Sequence, residues 1–446
     1  MSDIFGRKLI TLGLLLLFTV FSGGCAAAQS TTQLIVLRAF QGLGGGGCYT
    51  LASILIVDAV PPKKYGKYVT LAAIPIAVGT VLGPIVGGAI NQNTSWRWIF
   101  LFNVPVGAAA FVLGLLGIPN GFPYETKQRA HMSVRHIFGM LQHKIDALGC
   151  VLLLGAVVSF TACFQEAGSR FPWKSAYVIT LIVVSVALSI ALLCWERRIT
   201  LQDGPRHPVL PWRFFTNRVM VSLILVMALV GGPMIVTVFQ LAQRFQILNG
   251  LSSLDAGLRI LPYGVVFPIG SMVGTQASSS LKIPSVWLII LGSILQIIGL
   301  ALLSLLGSSV EIHARIYGYQ VLVGFGCGLT FVMAYITVPF VVTEFDKAVG
   351  MAAANQFRTL GSAIGLSIAT SVFNGYTLPR LASLGIQDPA SQLVPGGSEA
   401  GFALQADARD VLSVAYSRQM LVLCGFAALQ IPVALCMWKR KQIVAA

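Results

Sequence analysis

Residues 2–56 read SDIFGRKLITLGLLLLFTVFSGGCAAAQSTTQLIVLRAFQGLGGGGCYTLASILI. Behind the charged start lie two apolar runs, 10–28 and 34–60. Each is long enough to cross about 30 Å of hydrocarbon as a helix. A water-exposed helix pair would carry charges on every second turn. Here the second run holds Arg38 well inside it and Asp58 near its end, and the first holds no charge.

The pattern continues through the chain. Of 446 residues, 56% are hydrophobic and 10% charged, with mean hydropathy +0.82. Soluble domains carry about 25% charged residues, which argues against a water-soluble enzyme. Further apolar runs at 69–90, 99–118, 147–164, 176–195, 219–240, 257–277, 286–306, 315–342, 349–373 and 414–438 bring the expected crossings to twelve. The expected fold is an all-α polytopic membrane bundle. The first run is expected to be retained, because a second span follows it at once.

Thirty basic residues face fifteen acidic ones. In a soluble protein that excess would suggest a nucleic-acid partner, but here loop topology explains it. With the N-terminus inside, nineteen Lys and Arg fall in inner segments and nine in outer loops, so both termini are expected to be cytoplasmic. The remaining two, Arg38 and Arg358, lie inside spans. A guanidinium there costs several kcal/mol unless it meets a polar cavity or partner, which marks both as candidate functional residues.

Two long stretches do not span. Residues 121–146 are basic, with Val134, Ile137, Phe138 and Leu141 at helical spacing, which suits an amphipathic linker on the inner membrane surface. Its His131, His136 and His143 read as a solvated face and not as a metal site. Residues 374–413, rich in Pro, Gly and Ser, read as a flexible external loop. The eight cysteines form no CxxC pair and read as small apolar side chains. Asn93, Thr94 and Ser95 make an N-glycosylation sequon on the expected outer side.

An internal repeat is also legible. Phe40, Gln41 and Gly42, followed by glycines up to Cys48, parallel Tyr319 and Gln320 followed by Gly324, Gly326, Cys327 and Gly328. Gly79 and Gly83 have the spacing of Gly361 and Gly365, 282 residues on. Residues 7–90 and 282–373 thus read as duplicated halves, the plan on which many secondary transporters are built.

Four motifs follow in order: Asp3, Gly6, Arg7 and Lys8 before the first span; Arg38 and Gln41 in the second; Gly79, Gly83, Pro84 and Gly87 in the third; and Trp96, Arg97, Trp98, Asn103 and Pro105 entering the fourth. In this set the chain resembles the major facilitator superfamily, specifically its fourteen-span drug:proton antiporter branch, the fungal type of efflux transporter. The resemblance implies proton coupling at Arg38 and conformational gating by Asp3, Gly6, Arg7 and Lys8 together with Gly79, Gly83, Pro84 and Gly87. It implies further that this sequence starts just before the family's third helix, without the first two. Gln41, Asn355, Gln356 and Arg358 are the candidate substrate-cavity residues.

The domains expected are a four-helix N-terminal bundle remnant (1–120), the linker (121–146), an additional helix pair (147–196), a cytoplasmic loop (197–218) and a six-helix C-terminal bundle (219–446). The expected function is proton-coupled efflux of a small, largely apolar organic compound such as a drug, toxin or secondary metabolite. Import of a solute or iron chelate, or a truncated membrane protein without transport, stay as alternatives. The partners are the small-molecule substrate, protons and the lipid bilayer, with no nucleic acid, in a monomer at the plasma membrane. No cofactor, metal or enzyme activity is expected, since the chain has no GxxxxGK[ST], HExxH or GxSxG motif.

Overall fold

The computed structural model describes residues 6–60, 65–119, 122, 146–167, 171–202, 208–309, 311–343, 346–384, 406–440 and 442–444. Apart from one isolated bridge, Ala167 with Phe171, the described residues form helices and connections only. Hydrocarbon offers the backbone no water, and a helix satisfies its own N–H and C=O groups. Each of the twelve expected crossings lies on one helix or on two consecutive helical segments. Among the described residues nine segments are long and apolar enough to cross a membrane. The other three expected spans fall on the second, third and fourteenth helices below.

By contact density the chain divides into two units, residues 1–69 with 86–145, and residues 70–85 with 146–446. The first unit contains α1 (Arg7–Ala27), α2 (Thr31–Ala59), α4 (Arg97–Leu101) and α5 (Asn103–Gly117). The helix α3 (Tyr65–Asn93) contributes to both units. Within the first unit α1 packs against α2 and α5. Glycine makes both contacts close: a Cβ on Gly44 would stand 2.6 Å from the backbone nitrogen of Phe18, and one on Gly107 would overlap Thr19. Phe21 stacks on Phe40 at 4.8 Å beside the same crossing.

The second unit begins with the hairpin α6 (Ala147–Glu166) and α7 (Ala176–Leu201), followed by the short α8 (Trp212–Thr216). Ile179, Val183, Val186 and Ile190 form an exposed stripe along α7, the pattern of a lipid-facing side. Next come α9 (Arg218–Ile247), α10 (Ser253–Leu258), α11 (Leu261–Ser280), α12 (Ser285–Ser304) and α13 (Arg315–Thr337). The chain then runs through a 3-10 turn into α14 (Lys347–Ser383) and α15 (Ala406–Leu435). The core of this unit is α13, most of whose residues are buried. A Cβ on Gly328 would overlap the Phe267 carbonyl of α11, and one on Gly326 would stand 2.5 Å from the Gly292 carbonyl of α12. On α14, a Cβ at Gly361 would overlap the Ala228 carbonyl of α9.

One boundary differs from the sequence reading. The expected external loop, 374–413, is helical at both ends, because α14 runs on to Ser383 and α15 starts at Ala406. The physical reason is a continued apolar face: Phe373 packs beside Tyr416, and Thr377 and Leu381 are buried at four-residue intervals after it. Of the expected amphipathic linker only residues 122 and 146 are described, and its three histidines lie outside the described residues.

Candidate functional site

The start of α1 is set by Gly6, whose φ of 90° lies in the region that suits glycine. This turn delivers Arg7 to a buried position with 3% of its surface exposed. Its Nε donates to Oδ2 of Asp58 at 2.8 Å, tying the first residue of α1 to the end of α2. Lys8 beside it is half-buried, and Asp3 lies outside the described residues. Asp58, near the end of the second apolar run, is thus the counter-ion of Arg7. Fifty-one residues separate the two, and no local spacing signals the pair.

Arg38 sits in the first third of α2 with its side chain exposed. Its Nη1 donates to Oε1 of Gln41 at 2.8 Å, and the Nε2 of Gln41 donates to Oγ of Ser22 on α1 at 2.6 Å. Gln41 is only 2% exposed, and its amide joins Arg38 to α1. The guanidinium carbon also stands 5.5 Å from the Phe100 ring centre, a weak cation–π contact. Ser22, the far end of this tether, carried no signal in the sequence.

Gly79, Gly83 and Gly87 lie on α3, and among the described residues no atom outside the helix's own backbone comes within 4 Å of a Cβ built on any of them. Gly79 and Gly83 are exposed. Pro84 is in the same helix. Asn93, the sequon residue, is exposed at the last position of α3, where its amide donates to the Ala89 carbonyl.

In the second unit Asn355, Gln356 and Arg358 share the third and fourth turns of α14. Nη2 and Nε of Arg358 donate to Oδ1 of Asn355, at 3.0 and 3.3 Å. The guanidinium faces the ring of Phe331, 5.8 Å away, and that ring stacks in turn with Tyr335. Asn355 is buried, whereas Gln356 is exposed. A second ion pair joins Nη2 of Arg213 in α8 to Oδ1 of Asp346, at 2.7 Å, just before α14. Among the described residues no group of His, Cys, Asp and Glu could hold a metal ion.

Long apolar helices in close glycine contact, with buried charge at helix ends and a tethered arginine inside a span, define a multi-pass membrane carrier. The chain belongs to the Major Facilitator Superfamily, whose family model matches residues 1–366. It is 36% identical over 430 residues to the MFS-type transporter FPY5 of Fusarium mangiferae, an alignment covering 96% of this chain and 72% of that one. It is 29% identical over 401 residues to the efflux pump FUS6 of Gibberella fujikuroi, covering 89% and 69%. Its fold matches the crystal structure of a bacterial homolog to the human lysosomal transporter Spinster, in an inward-facing and occupied conformation. That match has a TM-score of 0.56 at 17% identity and covers 98% of this chain and 85% of that one.

Proposed function

We propose that this carrier exports a small, largely apolar organic compound, a drug, toxin or secondary metabolite, in exchange for protons. The observation that carries the reading is the tether Ser22, Gln41, Arg38, which fixes a permanent positive charge within a span while leaving it accessible. A guanidinium does not give up its proton at ordinary pH. Its part in coupling is therefore electrostatic: an arriving proton meets a repulsive centre, and a departing one is favoured by it. Efflux pumps among the relatives support the outward direction.

The gating reading assigns Arg7 and Asp58 to a latch that holds one conformation, with Gly6 setting the turn. Gly79, Gly83, Pro84 and Gly87 are assigned to a helix face that moves against its neighbours, and the open space around the glycines suits that role. Asn355, Gln356 and Arg358, with the Phe331 ring, are assigned to the cargo-binding side of the second unit. We place the chain in the fourteen-span branch, with α6 and α7 as the additional pair, as a monomer of the plasma membrane with cytoplasmic termini.

The test is accumulation of a panel of apolar compounds in efflux-deficient cells expressing this chain, with and without a protonophore. Lower accumulation that the protonophore restores is the expected result. Higher accumulation would mean import, and an unchanged level across the panel would end the exporter reading.

A further inference from the structure

We propose that Asp146 and Glu196 form a proton-binding site, one proton held between two buried carboxyls at the joined ends of α6 and α7. Asp146 caps the N-terminus of α6 and is 3% exposed, while Glu196 is 0% exposed, near the C-terminus of α7. The two carboxyls converge on one glycine: a Cβ on Gly149 would overlap Oδ2 of Asp146 and lie 3.0 Å from Oε1 of Glu196. The Glu196 carboxyl faces Asp146 and the backbone N–H groups of Val209 and Leu210, and both carboxyls are buried from water.

The geometry around the two carboxyls assigns the proton to Glu196. Oδ1 of Asp146 accepts from the Gly149 backbone at 2.8 Å and from Nε1 of Trp195 at 2.7 Å, the partners a carboxylate oxygen takes. A helix N-terminus also favours negative charge. Glu196 sits at the opposite kind of helix end. Three buried oxygens lack a partner in good hydrogen-bond geometry among the described residues: Oδ2 of Asp146 and both oxygens of Glu196, whose carboxyl nevertheless faces the Val209 and Leu210 backbone N–H groups. A single proton on Glu196, donated to Oδ2 of Asp146, satisfies two of them. Two adjacent buried carboxylates would otherwise repel each other in a medium that screens poorly.

The surrounding groups supply no described cation to replace that proton. Cys150 of α6, four residues past Asp146, is exposed. Arg197, next to Glu196, stands over the Trp212 ring at 5.6 Å, and Arg213 of α8 pairs with Asp346. Loss of the proton leaves two like charges at this contact, and water or movement of residues 209–210 has to relieve them. The site therefore makes the seat of the α6–α7 hairpin on that segment depend on pH. It does not require that export be proton-driven, so failure of the transport reading leaves it standing.

The test is an infrared pH titration of the full chain in lipid nanodiscs. The wild type is expected to show a protonated-carboxyl C=O band at neutral pH that disappears as the pH rises. E196Q, whose amide can donate the same hydrogen bond to Asp146, is expected to fold and lose the band, and D146N to shift its midpoint. Emission of Trp195, isolated by difference from W195F, is expected to follow the wild-type midpoint. Superimposable wild-type and E196Q spectra across the titration, or a Trp195 signal indifferent to pH, would overturn the proposal.

Discussion

Nε of Arg7 stands 2.8 Å from Oδ2 of Asp58, with 4% and 19% of the two side chains exposed. At such burial, removing one member of an ion pair costs about 3–5 kcal/mol, because the other charge stays behind out of water. Asp58→Asn is accordingly expected to lower the melting temperature of the purified carrier and to reduce efflux at least tenfold. The exchange Arg7→Asp with Asp58→Arg is expected to recover part of both. Normal efflux and melting in Asp58→Asn would show that the pair carries neither load.

Arg38→Ala is expected to abolish proton-dependent efflux while membrane insertion stays intact. Gln41→Leu, which cuts the tether but keeps the charge, is expected to weaken efflux less than Arg38→Ala does. Flux assays at matched surface expression check both, and full activity in Arg38→Ala would remove this residue from the coupling machinery.

Two glycines on different helices are expected to respond in opposite ways. A Cβ at Gly361 overlaps the Ala228 carbonyl, so Gly361→Val forces α9 and α14 apart and is expected to cost about 1–3 kcal/mol or more. Gly83→Ala meets open space and is expected to leave melting unchanged. If the α3 face moves during transport, Gly83→Ala lowers efflux at constant stability; equal efflux in that variant would argue for a passive face.

How far the fold was legible follows from what each signal depends on. Span positions depend on apolar run length, so every expected crossing found helical segments. The end of α14 depends on Phe373, Thr377 and Leu381 finding neighbours, which Pro, Gly and Ser composition obscured. Arg38 stood out because a charge inside an apolar run is visible in one dimension. Asp58 and Glu196 did not, since each lies at the end of a run, where an acid ordinarily meets headgroups. Their partners come from other helices, and only the packing of α1 on α2, or α6 on α7, brings them together.

The buried amide pair of α12 and α15 is a stability test independent of transport. Gln296 donates to Oγ1 of Thr330 at 2.9 Å, and Gln430 donates back to Gln296 at 3.1 Å while accepting from Ser293. Gln296→Leu leaves buried partners unsatisfied and is expected to cost about 1–3 kcal/mol. Adding Gln430→Leu should cost less than the sum of the two single changes, as a double-mutant cycle on melting would reveal.

Asn93 offers a check on sidedness. If the end of α3 faces outward in a secretory membrane, the protein carries one endoglycosidase-sensitive mobility shift that Asn93→Gln removes. Its persistence in Asn93→Gln would assign the glycan elsewhere, and a wild type without any shift would remove this support for the proposed orientation.

The bare-backbone contacts of α13 with α11 and α12 give the experimenter an internal ruler. Where carbonyls rest directly on glycine Cα atoms, neighbouring helices have little freedom to slide. Spin labels on the exposed faces of α11 and α12 should keep constant separations while the cargo cycle proceeds, and every other measured distance can be read against that fixed scale.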